Sequence, residues 1–397
     1  MDPIVLTKRQ ARRFILRKQG LLGDYKFDGN EGIISFIKQA GCIQFDPIDV
    51  CGKNAELVLQ SRVKGFKKTM LYDLLYKERK LIDYFDKNLS IMPVEDWKYF
   101  ERIRESNRLY GRGHDEVDAV AEQLKEFIAT HGPTCSKDID FGQRLEWYWS
   151  TNTNLTRVAL ETLYFRGDLI IHHKKGTIKY YALAKDYIAK EILAETDPYQ
   201  DEFEHLKWRV LRRISTIGLL WNKPSDAWIN IWNLKSAERN HVFDDLHKEG
   251  KIIAIKIEEC KEPFYCVSSD LELINEILAN NEYKERTELI APLDNMMWDR
   301  KLIKELFYFE YKWEIYTPIV ERKYGYYVLP IISGENFIGR IETIHDKKNK
   351  CLNIKSIWLE DGVKQTKKLQ NILDTCLKRF AEFHECKDVT YSDNYYM

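Results

Sequence analysis

The sequence predicts an α+β protein in which three tandem winged-helix motifs, in a concave arrangement, precede a C-terminal β-rich, barrel-like module and a closing helix. Two observations predict this class. A pattern of helices followed by two short strands recurs three times along residues 1–285, and residues 286–397 change to β-type segments separated by polar turns. The expected domains are therefore residues 1–105, 106–198, 199–285 and 286–397.

The clearest copy of the repeating pattern begins near Asp115. Apolar residues at helical spacing indicate a helix that ends at 131–133, the sequence His-Gly-Pro. Ser136 is expected to cap a short second helix over 137–139, and a third helix ends at Gly167. Strands over 169–171 and 178–182 then flank a basic turn at 172–176, which completes a winged helix.

The other copies and the C-terminal module follow from the same patterns. The first copy is expected to have helices at 8–19, 30–40, 55–62 and 69–80, a strand-like segment at 42–45 and extended chain at 81–92. The third copy is expected to have helices from about 203 and over 236–248, with strands at 251–255 and 263–267. Later strands are expected at 313–318, 325–332, 337–344 and 351–358, and a helix at 364–384.

Composition restricts the classes of function. The 62 Lys and Arg residues balance the 62 Asp and Glu residues, so a uniformly basic shell is excluded and any positive surface must be local. Neither a secretory leader nor a long apolar run is apparent, and the eight cysteines are dispersed without a Cys-x-x-Cys pair. We therefore expect a cytoplasmic protein with reduced thiols, no membrane association, no metal and no cofactor.

Positive charge concentrates at three places. The helix over 8–18 carries six cations, among them Arg12 and Arg13. The second is the turn at His172, His173, Lys174 and Lys175, and the third is the turn that contains Lys347, Lys348 and Lys350. A charged turn is usually only solvated, but on winged helices these groups together favour contact with DNA phosphates.

The segment that suggests chemistry is Ile43-Gln44-Phe45-Asp46-Pro47. In an extended strand Gln44 and Asp46 face the same side, about 6.7 Å apart, and Pro47 ends the ladder. A carboxamide and a carboxylate would then project together. The alternative is that both side chains cap neighbouring turns.

At these residues the sequence resembles the AlkZ/YcaQ-type DNA glycosylases, which have a Gln-x-Gln or Gln-x-Asp motif on tandem winged helices. The resemblance covers nearly the whole chain. Its further segments are Gln10–Arg13, Gln19–Leu21, Leu57–Leu59, Ser61-Arg62, Ser90–Pro93, Ala291–Asp294, Trp298–Arg300, Tyr324–Pro330, Gly339–Ile341 and Trp358–Gly362.

The resemblance implies a monofunctional DNA glycosylase that removes alkylated purines such as N7-alkylguanine and unhooks interstrand crosslinks. Gln44 would position the water, while Asp46 would activate it and stabilise the oxocarbenium-like sugar. The nearest lysines in sequence are Lys38 and Lys53, which favours water over a Schiff base. Lys53 and Arg62 are added to the expected DNA contacts. The expected partner is double-stranded DNA with alkylated or crosslinked bases, bound by a nucleoid-associated monomer in base excision repair.

Two departures from the family pattern concern histidines. Many relatives have a basic residue and paired histidines where this chain has 53–56, Lys-Asn-Ala-Glu, and a Trp-x-His where it has Phe85, Asp86 and Lys87. Asp49 either supports the pair or caps a turn. Two other functions stay open at this point: a noncatalytic winged-helix transcriptional regulator and a protein-interaction scaffold.

Overall fold

The structure, a computed structural model, describes residues 4–110, 113–147, 150–199 and 201–396. The chain forms two compact units. Unit 1 comprises Met1–Leu71, Phe85–Ile91 and Leu206–Met397, and unit 2 comprises Tyr72–Tyr84 and Met92–His205. The four predicted domains and their winged-helix topology stay predictions. Within the described ranges, every helix is too short or too polar to cross a membrane.

The first segment of the chain matches the predicted order of elements. Its elements are β1 (Ile4–Leu6), α1 (Lys8–Lys18), β2 (Phe27–Asp28), α2 (Gly29–Ala40), β3 (Ile43–Gln44), α3 (Asn54–Gln60), β4 (Val63–Lys64), α4 (Lys68–Tyr76), β5 (Leu81–Asp86) and β6 (Asn88–Pro93). Thr7 caps α1 by accepting from the N–H of Gln10, and the face of α1 that carries Phe14 and Ile15 is buried.

The second segment follows a 3-10 turn at Val94–Phe100. Its elements are α5 (Glu101–Leu109), α6 (His114–His131), β7 (Arg144–Trp147), β8 (Ser150–Asn154), α7 (Leu155–Arg166), β9 (Leu169–Lys175), β10 (Ile178–Leu183), α8 (Ala184–Tyr187) and α9 (Lys190–Ala194).

Two expectations for this segment are wrong. Residues 136–139 form a turn rather than a helix, because Asp138 accepts the N–H of Cys135 and closes the chain locally. In addition, β9 continues to Lys175, so His172, His173 and Lys174 lie within a strand. Antiparallel pairing with β10 continues up to Lys175 and Ile178, which leaves only Gly176 and Thr177 for the turn.

The third segment supplies most of a four-stranded sheet. Its elements are α10 (Glu202–Ile217), β11 (Leu220–Trp221), α11 (Ser236–Lys248), β12 (Ile252–Ile257), β13 (Phe264–Val267) and α12 (Leu271–Ala279). The strand order is β1-β12-β13-β11, and β1 pairs parallel with β12. The predicted hairpin of β12 and β13 is confirmed, while the added N-terminal strand has no local sequence signal.

The C-terminal segment forms a five-stranded sheet in the order β14-β15-β16-β17-β18. Its elements are β14 (Thr287–Leu289), α13 (Arg300–Phe307), β15 (Val328–Ser333), β16 (Asn336–Asp346), β17 (Cys351–Leu359), α14 (Lys367–Phe383) and β18 (Asp388–Tyr391). The strand predicted at 313–318 is wrong. Glu314 accepts the N–H groups of Lys323 and Tyr324, each at 2.9 Å, and folds this stretch into a loop.

Candidate active site

Strand β3 enters the site through a sharp turn at Gly41. Its φ of +74° lies in the left-handed region, which favours glycine. A Cβ atom there would lie 2.6 Å from Nε of Arg212, and the same guanidinium donates to the carbonyl of Gly41 at 2.6 Å. Glycine therefore permits both the turn and the close approach of Arg212.

The backbone of Gln44 is held on two sides. Gln44 pairs with Ser90 of β6, and Asn54 at the start of α3 donates its Nδ2 to the carbonyl of Gln44 at 2.8 Å. The next residue, Phe45, donates its N–H to the carbonyl of Leu89, so the chain stays extended beyond β3. Gln44 is only 6% exposed. Its carboxamide is thus fixed in a protein interior rather than on a mobile loop.

A lysine that sequence reasoning missed contacts this carboxamide. Nζ of Lys87 lies 3.3 Å from Oε1 of Gln44 and 5.1 Å from the ring centroid of Trp298. Burial, followed by repulsion from Arg213, lowers the pKa of Lys87 to about 8. Forty-three positions separate Lys87 from Gln44, so local spacing gave no sign of the contact. The available signal was the departure noted in the sequence, where the resemblance implies a histidine at the position of Lys87.

The residue before Lys87 anchors the segment. Oδ1 of Asp86 is 3.0 Å from Arg209 and 2.6 Å from Arg213, and its Oδ2 is 2.9 Å from Arg212. Burial alone would raise the pKa of Asp86, but the three guanidinium groups outweigh it and hold the pKa well below its usual range. Asp86 is therefore a buried carboxylate that ties β5 to α10 within unit 1.

Asp46 has a different environment from Asp86. It is half-buried, and its Oδ1 accepts the N–H of Ile48 at 2.9 Å. Burial raises the pKa of Asp46 above its ordinary value of 3.8, and the Ile48 hydrogen bond only partly offsets this. A carboxylate in this setting has a greater affinity for a proton than a solvated one, which suits a general base.

The hairpin of β16 and β17 lies beside the loop that follows Asp46. Nζ of Lys347 is 2.6 Å from Oδ2 of Asp49, and His345 donates its N–H to the carbonyl of Val50. Asp49 also accepts the N–H of Gly52, so it closes a turn and anchors the hairpin. Lys348 and Lys350 are exposed at the tip. The structure thus brings one predicted basic turn to the segment that carries Asp46.

The cations of α1 have partners inside unit 1. Lys8 pairs with Glu305, Arg9 and Arg13 with Glu335, Arg17 with Glu276, and Lys18 with Asp270. Arg12 donates to the carbonyl of Leu306. Arg13 is only 3% exposed, so the DNA contact expected of it is replaced by a structural role, whereas the DNA contact expected of the partly exposed Arg12 stays a prediction.

The two cations predicted near the Gln-x-Asp motif differ in exposure. Arg62 is 0% exposed and lies 2.7 Å from the equally buried Asp294, so phosphates cannot reach it. We correct its predicted role to that of a buried ion pair. Lys53 is partly exposed and directly precedes α3.

The predicted basic wing belongs to unit 2. The side chain of Lys174 is 5% exposed and pairs with Asp83 at 2.6 Å, while Lys175 is exposed and lies over the ring of Tyr180. Nδ1 of His172 and Nδ1 of His173 are 2.8 Å apart. Burial, then Arg79 and His173, lowers the pKa of His172 to about 4, and burial also lowers that of His173. Both imidazoles are therefore neutral at pH 7.

Comparisons with known proteins identify a family for this chain and a solved structure with a similar fold. A family model described as DNA glycosylase AlkZ-like matches residues 37–383. The fold is similar to that of Streptomyces sahachiroi DNA glycosylase AlkZ, with a TM-score of 0.64 and 11% sequence identity over 98% of this chain and 100% of that chain.

The extent of the family match defines the class of protein as an enzyme that hydrolyses N-glycosyl bonds in damaged DNA. The chain belongs to the family of AlkZ-like DNA glycosylases. The resemblance inferred from the sequence is confirmed, and the regulator and scaffold alternatives are not retained.

Proposed function

We propose that this protein is a monofunctional glycosylase that releases N7-alkylguanine and related alkylated purines from duplex DNA, and that it unhooks interstrand crosslinks of the same chemistry. Water is the nucleophile. Gln44 positions it, and Asp46 takes its proton and stabilises positive charge on the sugar.

The chemistry of the lesion matches this set of groups. Alkylation at N7 makes the purine cationic, so the base departs readily and takes the electron pair of the C1′–N9 bond. A strong general acid is not needed for that departure. The remaining tasks are to stabilise an oxocarbenium-like sugar by negative charge and to deliver water to C1′, and a carboxylate with an adjacent amide can perform both.

The observation that carries the proposal is the contrast between two carboxylates of unit 1. Asp86 is buried and neutralised by three arginines, whereas Asp46 is half-buried with a raised pKa and accepts from the Ile48 N–H. Active-site carboxylates often combine partial burial with a perturbed pKa. Asp46 therefore has the protonation chemistry of a base, and Asp86 that of a structural anchor.

DNA contact in unit 1 is assigned to the exposed lysines at the hairpin tip. Lys348 and Lys350 are exposed in the turn directly after Lys347, and Lys347 holds the loop that follows Asp46 through its ion pair with Asp49. We extend the interface of unit 1 to Lys53, and we assign a separate phosphate contact to Lys175, which is exposed in unit 2. Phosphate contacts of this kind position the duplex and carry no sequence information, as damage recognition at any sequence requires.

The test measures release of N7-methylguanine from a defined duplex and unhooking of a nitrogen-mustard crosslink, with wild type, Gln44→Ala and Asp46→Asn compared. We expect Asp46→Asn to lose roughly 10²–10⁴-fold in rate, the usual contribution of a general base, and to keep its DNA affinity. Undiminished release by Asp46→Asn would contradict the proposed mechanism.

A further inference from the structure

The ammonium of Lys87 and the carboxamide of Gln44 form a buried pair that the proposed hydrolysis does not yet use. Lys87 is 5% exposed, and its Nζ donates to Oε1 of Gln44 at 3.3 Å over the face of Trp298. Burying an ammonium is costly unless acceptors and ring faces compensate. The burial of the Lys87 ammonium therefore indicates that this side chain has a specific role at the site.

We infer that Lys87 is a positioning residue that locks the Gln44 carboxamide in one of its two orientations and thereby fixes the direction of proton transfer from the attacking water. This inference rests on the proposed function. An ammonium can only donate, so it selects the orientation in which Oε1 faces Lys87. The Nε2 group is then the part of Gln44 that remains for the water.

The two orientations of the amide have different consequences for the water. With Nε2 toward it, the water accepts from Gln44 and donates one O–H to Asp46. That proton passes to Asp46 while the water oxygen bonds to C1′, and the C1′–N9 electron pair leaves with the base. In the flipped orientation Oε1 would compete with Asp46 for the water proton. Lys87 excludes that competing arrangement.

The surroundings of Lys87 make the lock sensitive to pH. Besides burial, Arg213 and Arg300 lower the pKa of Lys87, and Asp226 and Cys42 raise it, with a resulting pKa of about 8. Above that pH the amine is neutral and no longer discriminates strongly between the amide oxygen and the amide nitrogen. We expect the rate of base release to decline as the pH rises through about 8.

The experiment measures single-turnover release of N7-methylguanine between pH 6 and 9. Its variants are Lys87→Met, Lys87→Arg, Gln44→Ala and Lys87→Met/Gln44→Ala, with Lys64→Met, an exposed lysine of the same unit, as the matched control. Loss of one hydrogen bond to a charged group predicts a decrease of roughly 10–100-fold for Lys87→Met. The alkaline decline should disappear in Lys87→Met and move to higher pH in Lys87→Arg, and Lys64→Met should match wild type.

Coupling separates positioning from a merely structural role. In the Gln44→Ala background, Lys87→Met should change the rate less than about twofold, because the amide it orients is gone. An equal loss in both backgrounds, or an alkaline decline that persists in Lys87→Met, would overturn the inference. Thermal melting of each variant identifies a loss of rate that is due to unfolding. If Lys87→Met is unfolded, Lys87→Arg supplies the pH comparison.

Borohydride trapping distinguishes the remaining alternative, in which Lys87 itself attacks C1′. A covalent DNA adduct that requires Lys87 would overturn positioning in favour of a Schiff base. Asp46→Asn, measured in parallel, distinguishes failure of the proposed function from failure of the positioning role of Lys87. Full activity of Asp46→Asn would contradict the proposed function, whereas loss of its activity together with additive Lys87 and Gln44 effects would contradict only this inference.

Discussion

At the scale of single residues, the pKa of Asp46 has a direct consequence for catalysis. The carboxylate must be ionised to accept a proton, and burial raises its pKa above 3.8. Activity should therefore fall with decreasing pH, with a midpoint above 3.8. The acid limb of kcat/KM for methylated duplex DNA measures this midpoint, and Asp46→Glu is expected to shift it.

The Gln44–Asp46 pair also shows which features of the site can be predicted from the spacing of residues in the sequence. Alternation along an extended segment predicted Gln44 and Asp46 as a pair, and the extended backbone up to Phe45 is confirmed. The roles of both residues stay predictions. Lys87 was outside the reach of such reasoning, because its contact with Gln44 depends on the pairing of β3 with β6.

At the scale of elements, the hairpin of β16 and β17 carries a testable DNA interface. Lys348→Gln with Lys350→Asn removes two exposed cations, and asparagine tolerates the positive φ of +50° at position 350. Each lost phosphate contact lowers the slope of log K against log salt by about 0.9, so the double variant should differ by roughly 2. Fluorescence anisotropy titrations at several salt concentrations measure the slope. An unchanged slope would exclude the tip from the interface.

The hairpin of β9 and β10 gives a contrasting expectation. His172 and His173 have lowered pKa values, that of His172 about 4. His172 should therefore remain neutral at pH 6 and add no charge toward phosphates. The DNA affinity of His172→Gln should therefore change with pH between 6 and 8 as that of wild type does. A pH response present in wild type and lost in this variant would contradict the assignment.

Element prediction succeeded where the signal was local. Helix α11 has the predicted bounds, and α7 ends as expected at Arg166, directly before Gly167. It failed where a side-chain carboxylate accepts backbone N–H groups, as at Asp138 and Glu314. It also failed where a strand distant in sequence joins a sheet, as in the pairing of β1 with β12. These interactions depend on tertiary placement, which spacing along the sequence does not encode.

At the scale of the whole molecule, the zero net charge conceals strong internal pairing. The cations of α1 and the guanidinium groups around Asp86 have acidic or carbonyl partners within unit 1. Much of the positive charge in the sequence is thus used to join elements. Basic composition alone is therefore a poor guide to the DNA-binding surface of this protein.

The Asp86 cluster predicts the stability of unit 1. Asp86→Asn leaves three buried guanidinium groups without their counter-charge, which costs about 3–5 kcal/mol in free energy of unfolding. Urea unfolding followed by tryptophan fluorescence measures it, with the exposed Asp24→Asn as a control that should change little. Because the folded-state pKa of Asp86 is depressed, its contribution is present above its unfolded pKa and lost as the pH falls through the folded one.

The pairing of β1 with β12 has a consequence for synthesis on the ribosome. Ile4, Val5 and Leu6 meet Ile255, Lys256 and Ile257, and Asn54 beside Gln44 accepts the N–H of Leu293. The first segment emerges long before these partners are translated. The nascent chain must therefore carry unpaired strands and exposed apolar faces through most of translation. A prematurely terminated chain that lacks residue 293 would be a substrate for chaperones or proteases rather than a working glycosylase.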